Sequence, residues 1–135
     1  MKIETTILKN LLQNEDYARK VLPFLNDEYF TENSDKIIYN QINNFILKYN
    51  SLPNKEALNI ELSEAKITEE DFKESVNLIN EIGKDDQEFS DLSWLLDSTE
   101  KFCQDKAIYN AVVESISILD NPKSTTSKGA IPDIL

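Results

Sequence analysis

Apolar residues recur along this chain at intervals of three and four, the period of an amphipathic helix rather than of a strand. The first segment, from Lys2 to about Gln13, places Ile3, Ile7, Leu8, Leu11 and Leu12 on one helical face. Asn14 is suited to cap a second, short helix, with Glu15 and Asp16 in its first turn and Val21, Leu22, Phe24 and Leu25 as its apolar contacts. Pro23 weakens that helix near its end, and residues 26–30 read as a turn carrying two core anchors, Tyr29 and Phe30. Ser34 is a candidate N-cap for a helix to about Asn50, striped by Ile38, Ile42, Phe45, Ile46 and Tyr49.

The pattern breaks at Leu52-Pro53, and Asn54 can cap a short helix through about Leu62 in which Leu58 and Leu62 lie four apart. Thr68 opens the next helix. Glu69, Glu70 and Asp71 are favourable at its positive end, and Phe72, Val76, Ile79 and Ile82 form its inner face, with Gly83 as the stop. After a polar, acidic connector, residues 91–119 contain neither Gly nor Pro and read as one helix of about 42 Å. Residues 121–129 form a polar link, and residues 130–135, with Pro132 near the start, resemble the first turn of a further helix. The expected architecture is all-α: a helical body over residues 1–90 and a helical hairpin over residues 91–135. Its long first arm spans 91–120, its link 121–129, and its second arm starts at 130–135.

The long helix is the informative element. Its first half has a single apolar stripe, Leu92, Leu95, Leu96, Phe102 and Cys103, suited to packing on the body. Trp94 is expected to seal the same junction. In the second half Ile108, Tyr109, Val112, Val113, Ile116 and Leu119 spread over more than one face, joined by Ala111 and Ile118. The polar positions there are few: Asn110, Glu114, Ser115 and Ser117. A helix apolar nearly all round must be covered nearly all round. A body of 135 residues has a radius of gyration of about 14 Å, too small to cover both faces of so long a helix. The six residues Ile108, Tyr109, Val112, Val113, Ile116 and Leu119 are therefore candidates for an interface with another copy or a partner. The competing reading is a bent helix packed wholly within its own subunit.

Composition narrows the function. Fourteen basic against 25 acidic residues give a net charge of −11. DNA affinity comes largely from cations that neutralise phosphates, so this surface argues against gripping nucleic acid directly. Arg19 is the only arginine. The absence of His excludes a Ser-His or Cys-His nucleophile pair and any imidazole metal site. Cys103, the sole cysteine, lies on the inner stripe and reads as a buried structural thiol, in keeping with a reducing, cytoplasmic setting. The acidic group Asp85, Asp86, Glu88 and Asp91 does not follow a calcium-loop pattern and reads as a solvated connector. The residues offer no catalytic, metal-binding or nucleotide-binding set. The polar residues after Met1-Lys2-Ile3-Glu4 lead us to expect no signal peptide, and no run approaches the ~20 apolar residues of a membrane span.

Three ordered stretches carry a resemblance. Residues 51–62 (SLPNKEALNIEL), residues 93–96 (SWLL) with the Thr99-Glu100-Lys101 and Ala107 to Ala111 segments, and residues 129–134 (GAIPDI) resemble the replicative DNA helicases of T-even-like bacteriophages, relatives of bacterial DnaB. The similarity covers essentially the whole chain as the N-terminal domain of such a helicase. It implies a small helical body followed by a helical hairpin. In that family these domains pair into a collar on a hexameric ring, and the collar is a platform for primase and the helicase loader. It further implies the cytoplasm of an infected bacterium as the location. The phosphate-cradling Gly-x-x-x-x-Gly-Lys-Ser/Thr loop is absent, since the only glycines are Gly83 and Gly129. ATP, Mg and unwinding thus belong to a motor domain outside these 135 residues, and the second hairpin arm is expected to continue past Leu135. The alternatives are a stand-alone acidic helical adaptor or inhibitor, such as a DNA mimic occupying a basic groove, and an enzyme with a cryptic carboxylate site.

Overall fold

The computed structural model describes residues 2–84 and 91–120. Six α-helices run in the order α1 (Ile3–Gln13), α2 (Glu15–Val21), α3 (Asn33–Tyr49), α4 (Lys55–Ser63), α5 (Glu69–Ile82) and α6 (Leu92–Asp120), with single 3-10 turns at Leu22–Phe24 and Asp27–Tyr29. Among the described residues there is no strand. The expected link at 121–129, the second arm at 130–135 and the acidic positions 85–88 lie outside the described residues.

Short polar side chains start these helices by satisfying backbone N–H groups that have no intrahelical acceptor. Asn14 accepts from Tyr17 N at the head of α2, Asn54 from Ala57 N at the head of α4, and Thr68 from Asp71 N at the head of α5. Asp91 does the same for α6, its Oδ2 taking Trp94 N at 3.0 Å. At α3 the expectation fails. The helix begins two residues earlier, Glu32 occupies the cap position without a side-chain bond, and Ser34 is buried in the first turn. Asn50 ends α3 with φ of 54°, the left-handed region that Asn tolerates better than most residues. Gly83 ends α5 for a different reason. Its φ is −84°, but a Cβ there would stand 2.8 Å from the Ile79 carbonyl oxygen and 3.2 Å from Lys55 Cδ.

The body is built on α1, α3 and α5, which pack on one another, with α4 against α3 and α5 and α2 against α1. Ile7, Leu8 and Leu11 of α1, Ile38 and Ile42 of α3, Leu58 and Leu62 of α4 and Ile79 and Ile82 of α5 are fully enclosed. Most of the stripes read from the sequence thus converge. Their margins do not: Phe72 and Phe24, expected inside, are exposed, and Tyr49 at the end of the α3 stripe is half-exposed. On α5 the inner face is rotated toward Leu78 and Ser75, both buried, which turns Phe72 outward.

Candidate functional site

Helix α6 has 29 residues, a rod of about 43 Å. It packs on α2, the turn at residues 27–29, and α1. The packing face comprises Leu95, Thr99, Phe102 and Cys103, all buried, with Leu92 and Leu96 half-buried beside them. These residues recur every three or four positions and so share one side of the helix.

Three side-chain contacts fix the register of that face. The Tyr17 hydroxyl lies 2.6 Å from Thr99 Oγ1 in a fully buried setting. Thr99 spends its only proton on the Leu95 carbonyl at 2.7 Å, so Tyr17 is the donor in that pair. Phe30 is enclosed between Tyr39 of α3 and Phe102 of α6, with ring centroids 5.3 and 5.7 Å away, so one aromatic residue couples both helices through the intervening turn. Further along, Asn110 Nδ2 donates to the Glu28 carbonyl at 3.0 Å. Burial pushes the Tyr17 phenol above its ordinary value, with the Thr99 hydrogen bond opposing the shift. Burial likewise raises the Cys103 thiol to about 11, as befits a structural rather than a nucleophilic cysteine.

The outer half behaves differently. Ile108 and Tyr109 are 65% and 63% exposed, and Val112, Val113, Ile116 and Leu119 are each between 43% and 54% exposed. At about 100° per residue these six positions fall within an arc of about 140° on the helix, the middle of the arc about 110° round from the centre of the face that meets the body. They form one continuous apolar strip. Ala111 and Ile118, half-buried, and Ser115, buried, lie off its edge. Lys106 places its ammonium 5.8 Å from the Tyr109 ring centroid at the body end of the strip. Against the expectation that they spread over more than one face, all six sequence-selected residues lie on one exposed face, because the 3.6-residue turn brings Ile108, Val112 and Leu119 round beside Tyr109, Val113 and Ile116.

Trp94 does not do what its neighbours suggest. Leu95 turns into the core while Trp94, one position away and hence about 100° round the helix, is 52% exposed. Sequence reasoning also missed Thr99 as a buried polar contact, because its partner Tyr17 lies 82 residues away.

Among the described residues, no three or more Cys, Asp or Glu side chains gather in a manner that could hold a metal ion. No helix among them is long and apolar enough to cross a membrane.

No family model matches the chain. A protein described as a DnaB-like replicative helicase, from Enterobacteria phage T4, is similar to it: 33% identical over 137 aligned positions, taking in 96% of this chain. The chain spans 28% of that protein's length. The resemblance to phage replicative helicases drawn from the three sequence stretches is thus a similarity along nearly the whole chain.

Proposed function

We propose that this chain is a subunit-association and docking domain of a phage replicative helicase, the N-terminal collar of a larger ring-forming protein. Copies pair through the outer strip of α6, and the assembled collar offers its remaining surface to primase and the helicase loader in the cytoplasm of the infected bacterium. In this reading ATP and Mg are handled by the motor portion of the longer protein, and no residue here contributes to hydrolysis.

One observation carries the reading: six large apolar side chains stand together, exposed, along the outer half of a helix whose first half is anchored to the body by buried contacts. Exposed apolar patches rimmed by polar residues mark interaction surfaces. The similarity to a phage helicase over almost the full chain supports the same conclusion.

The test is self-association. Val112→Asp and Ile116→Asp each place a carboxylate in the strip, where burying it unpaired costs several kcal/mol. Sedimentation should show a loss of oligomer mass in both, with the helical circular-dichroism signal retained because the positions face solvent. Unchanged mass in both variants overturns the proposal. A second reading, an acidic adaptor occupying the basic groove of a DNA-binding protein, is favoured by the net charge of −11. It predicts binding that duplex DNA competes away and that α6-strip variants leave intact.

A further inference from the structure

Helix α6 changes character after Asn110. Its first half is held on the body by Leu95, Thr99, Phe102 and Cys103, all buried, and Leu92 and Leu96 pack beside them. Among the described residues, no apolar side chain of α6 beyond Cys103 belongs to that core or packs on it. The last hydrogen bond tying α6 to the body is the one from Asn110 to the Glu28 carbonyl. Ser115, the one buried residue among 111–119, bonds back to its own helix at the Ala111 carbonyl.

The sequence of this outer stretch does little to keep it helical. Between Asn110 and Ile118 only Ala111 and Glu114 are strong helix formers. Val112, Val113, Ile116 and Ile118 are β-branched and lose side-chain freedom against the preceding turn. Glu114 is the single charged residue among 107–119, so no ion pair four residues apart supports the stretch. No basic residue stands in the last turn to meet the negative end of the helix dipole. The anchored first half spares the outer half the cost of nucleation, but each further turn must still be favourable in itself.

We propose that the outer half of α6, residues 111–119, is ordered by a second copy of this chain: helix and interface form together when two strips meet. This rests on the pairing of copies through the strip and adds that a single subunit does not carry the finished surface. The strip is where two acidic copies can meet. The chain's net charge is −11, yet Glu114 is exposed about 170° round the helix from the middle of the strip, leaving the strip itself uncharged. By their exposures the six apolar side chains offer on the order of 600 Å², so two copies face to face remove about 1,200 Å² from water, the lower edge of what stable interfaces bury. Part of that gain goes into ordering the helix, so pairing is weak between free chains and favoured where the rest of a longer protein already holds copies together.

Position 114 provides the test, because a substitution there changes helix propensity without touching the strip. In the 135-residue chain, Glu114→Gly should self-associate about thirtyfold more weakly than Glu114→Ala, the glycine penalty entering once for each copy. Both variants lose the same charge, and a helix already fully formed in the single subunit would bear the penalty before and after pairing alike. Sedimentation over a concentration series reads the two constants. The stretch is too short to weigh much in the overall circular-dichroism signal, so amide hydrogen exchange supplies the local readout. Protection at 111–119 should rise with concentration in step with the dimer, while protection at 95–103 stays constant. Equal dimer constants for the two variants, or full protection of 111–119 in samples that sediment as monomer, would overturn the inference and leave pairing through the strip standing. Absence of association at every concentration of the unsubstituted chain would overturn both.

Discussion

The buried bond between Tyr17 and Thr99 should dominate the anchoring of α6 in a way that a double-mutant cycle can measure. Both residues are completely enclosed, and the two oxygens are 2.6 Å apart. Thr99→Val keeps the shape of the side chain but strands the Tyr17 hydroxyl, a donor sealed from water. Leaving such a group unsatisfied costs about 2 kcal/mol. Tyr17→Phe removes the donor and leaves Thr99 still bonded to the Leu95 carbonyl, so its cost is smaller, about 1 kcal/mol. With both substitutions nothing polar is stranded between the two side chains, and the double variant should be no worse than Tyr17→Phe alone. The expected coupling is therefore about 2 kcal/mol, within the range for residues in direct contact. Urea unfolding of the four proteins, followed by far-ultraviolet circular dichroism, supplies the cycle. If the two single costs simply add, then Tyr17 does not depend on Thr99, and the buried bond between them does not anchor α6.

Other perturbations test neighbouring parts of the structure. The Cys103 thiol titrates at about 11 in the folded chain against 9.0 for the free group. The unfolded state therefore loses its proton first, and stability should fall as pH rises from 9 toward 11. Tyr17, also raised from 10.0, should extend that loss at higher pH, and Cys103→Ala should remove the part between 9 and 10 in urea midpoints. Gly83→Ala should destabilise by about 1 kcal/mol despite the better helix propensity of alanine, because the Ile79 carbonyl that its Cβ meets is backbone and cannot swing aside; a raised thermal midpoint would refute this. Asn54→Ala removes the bond to Ala57 N at 2.7 Å and should cost about 1 kcal/mol in thermal unfolding. Ser34→Ala removes no cap, so a comparable loss there would contradict the cap assignment.

Local rules settled much of this chain. The three-and-four spacing of apolar residues specified an all-α fold, and Asn14, Asn54 and Thr68 marked helix starts because a cap involves only residues two or three positions away. The length of α6 followed from 29 consecutive positions without Gly or Pro, and its six exposed apolar residues stood out because their number exceeds what a small body can cover. Tertiary packing decided what a helical wheel cannot: how far each stripe is rotated toward its neighbours. That rotation put Leu95 in the core and Trp94 in solvent, and it turned Phe72 outward in favour of Leu78. It also brought together residues that no local pattern connects. Tyr17 meets Thr99 across 82 positions, and Asn110 meets the Glu28 carbonyl. Burial and electrostatic pairing depend on distances through space, and these are set only when helices distant in sequence pack on a common core.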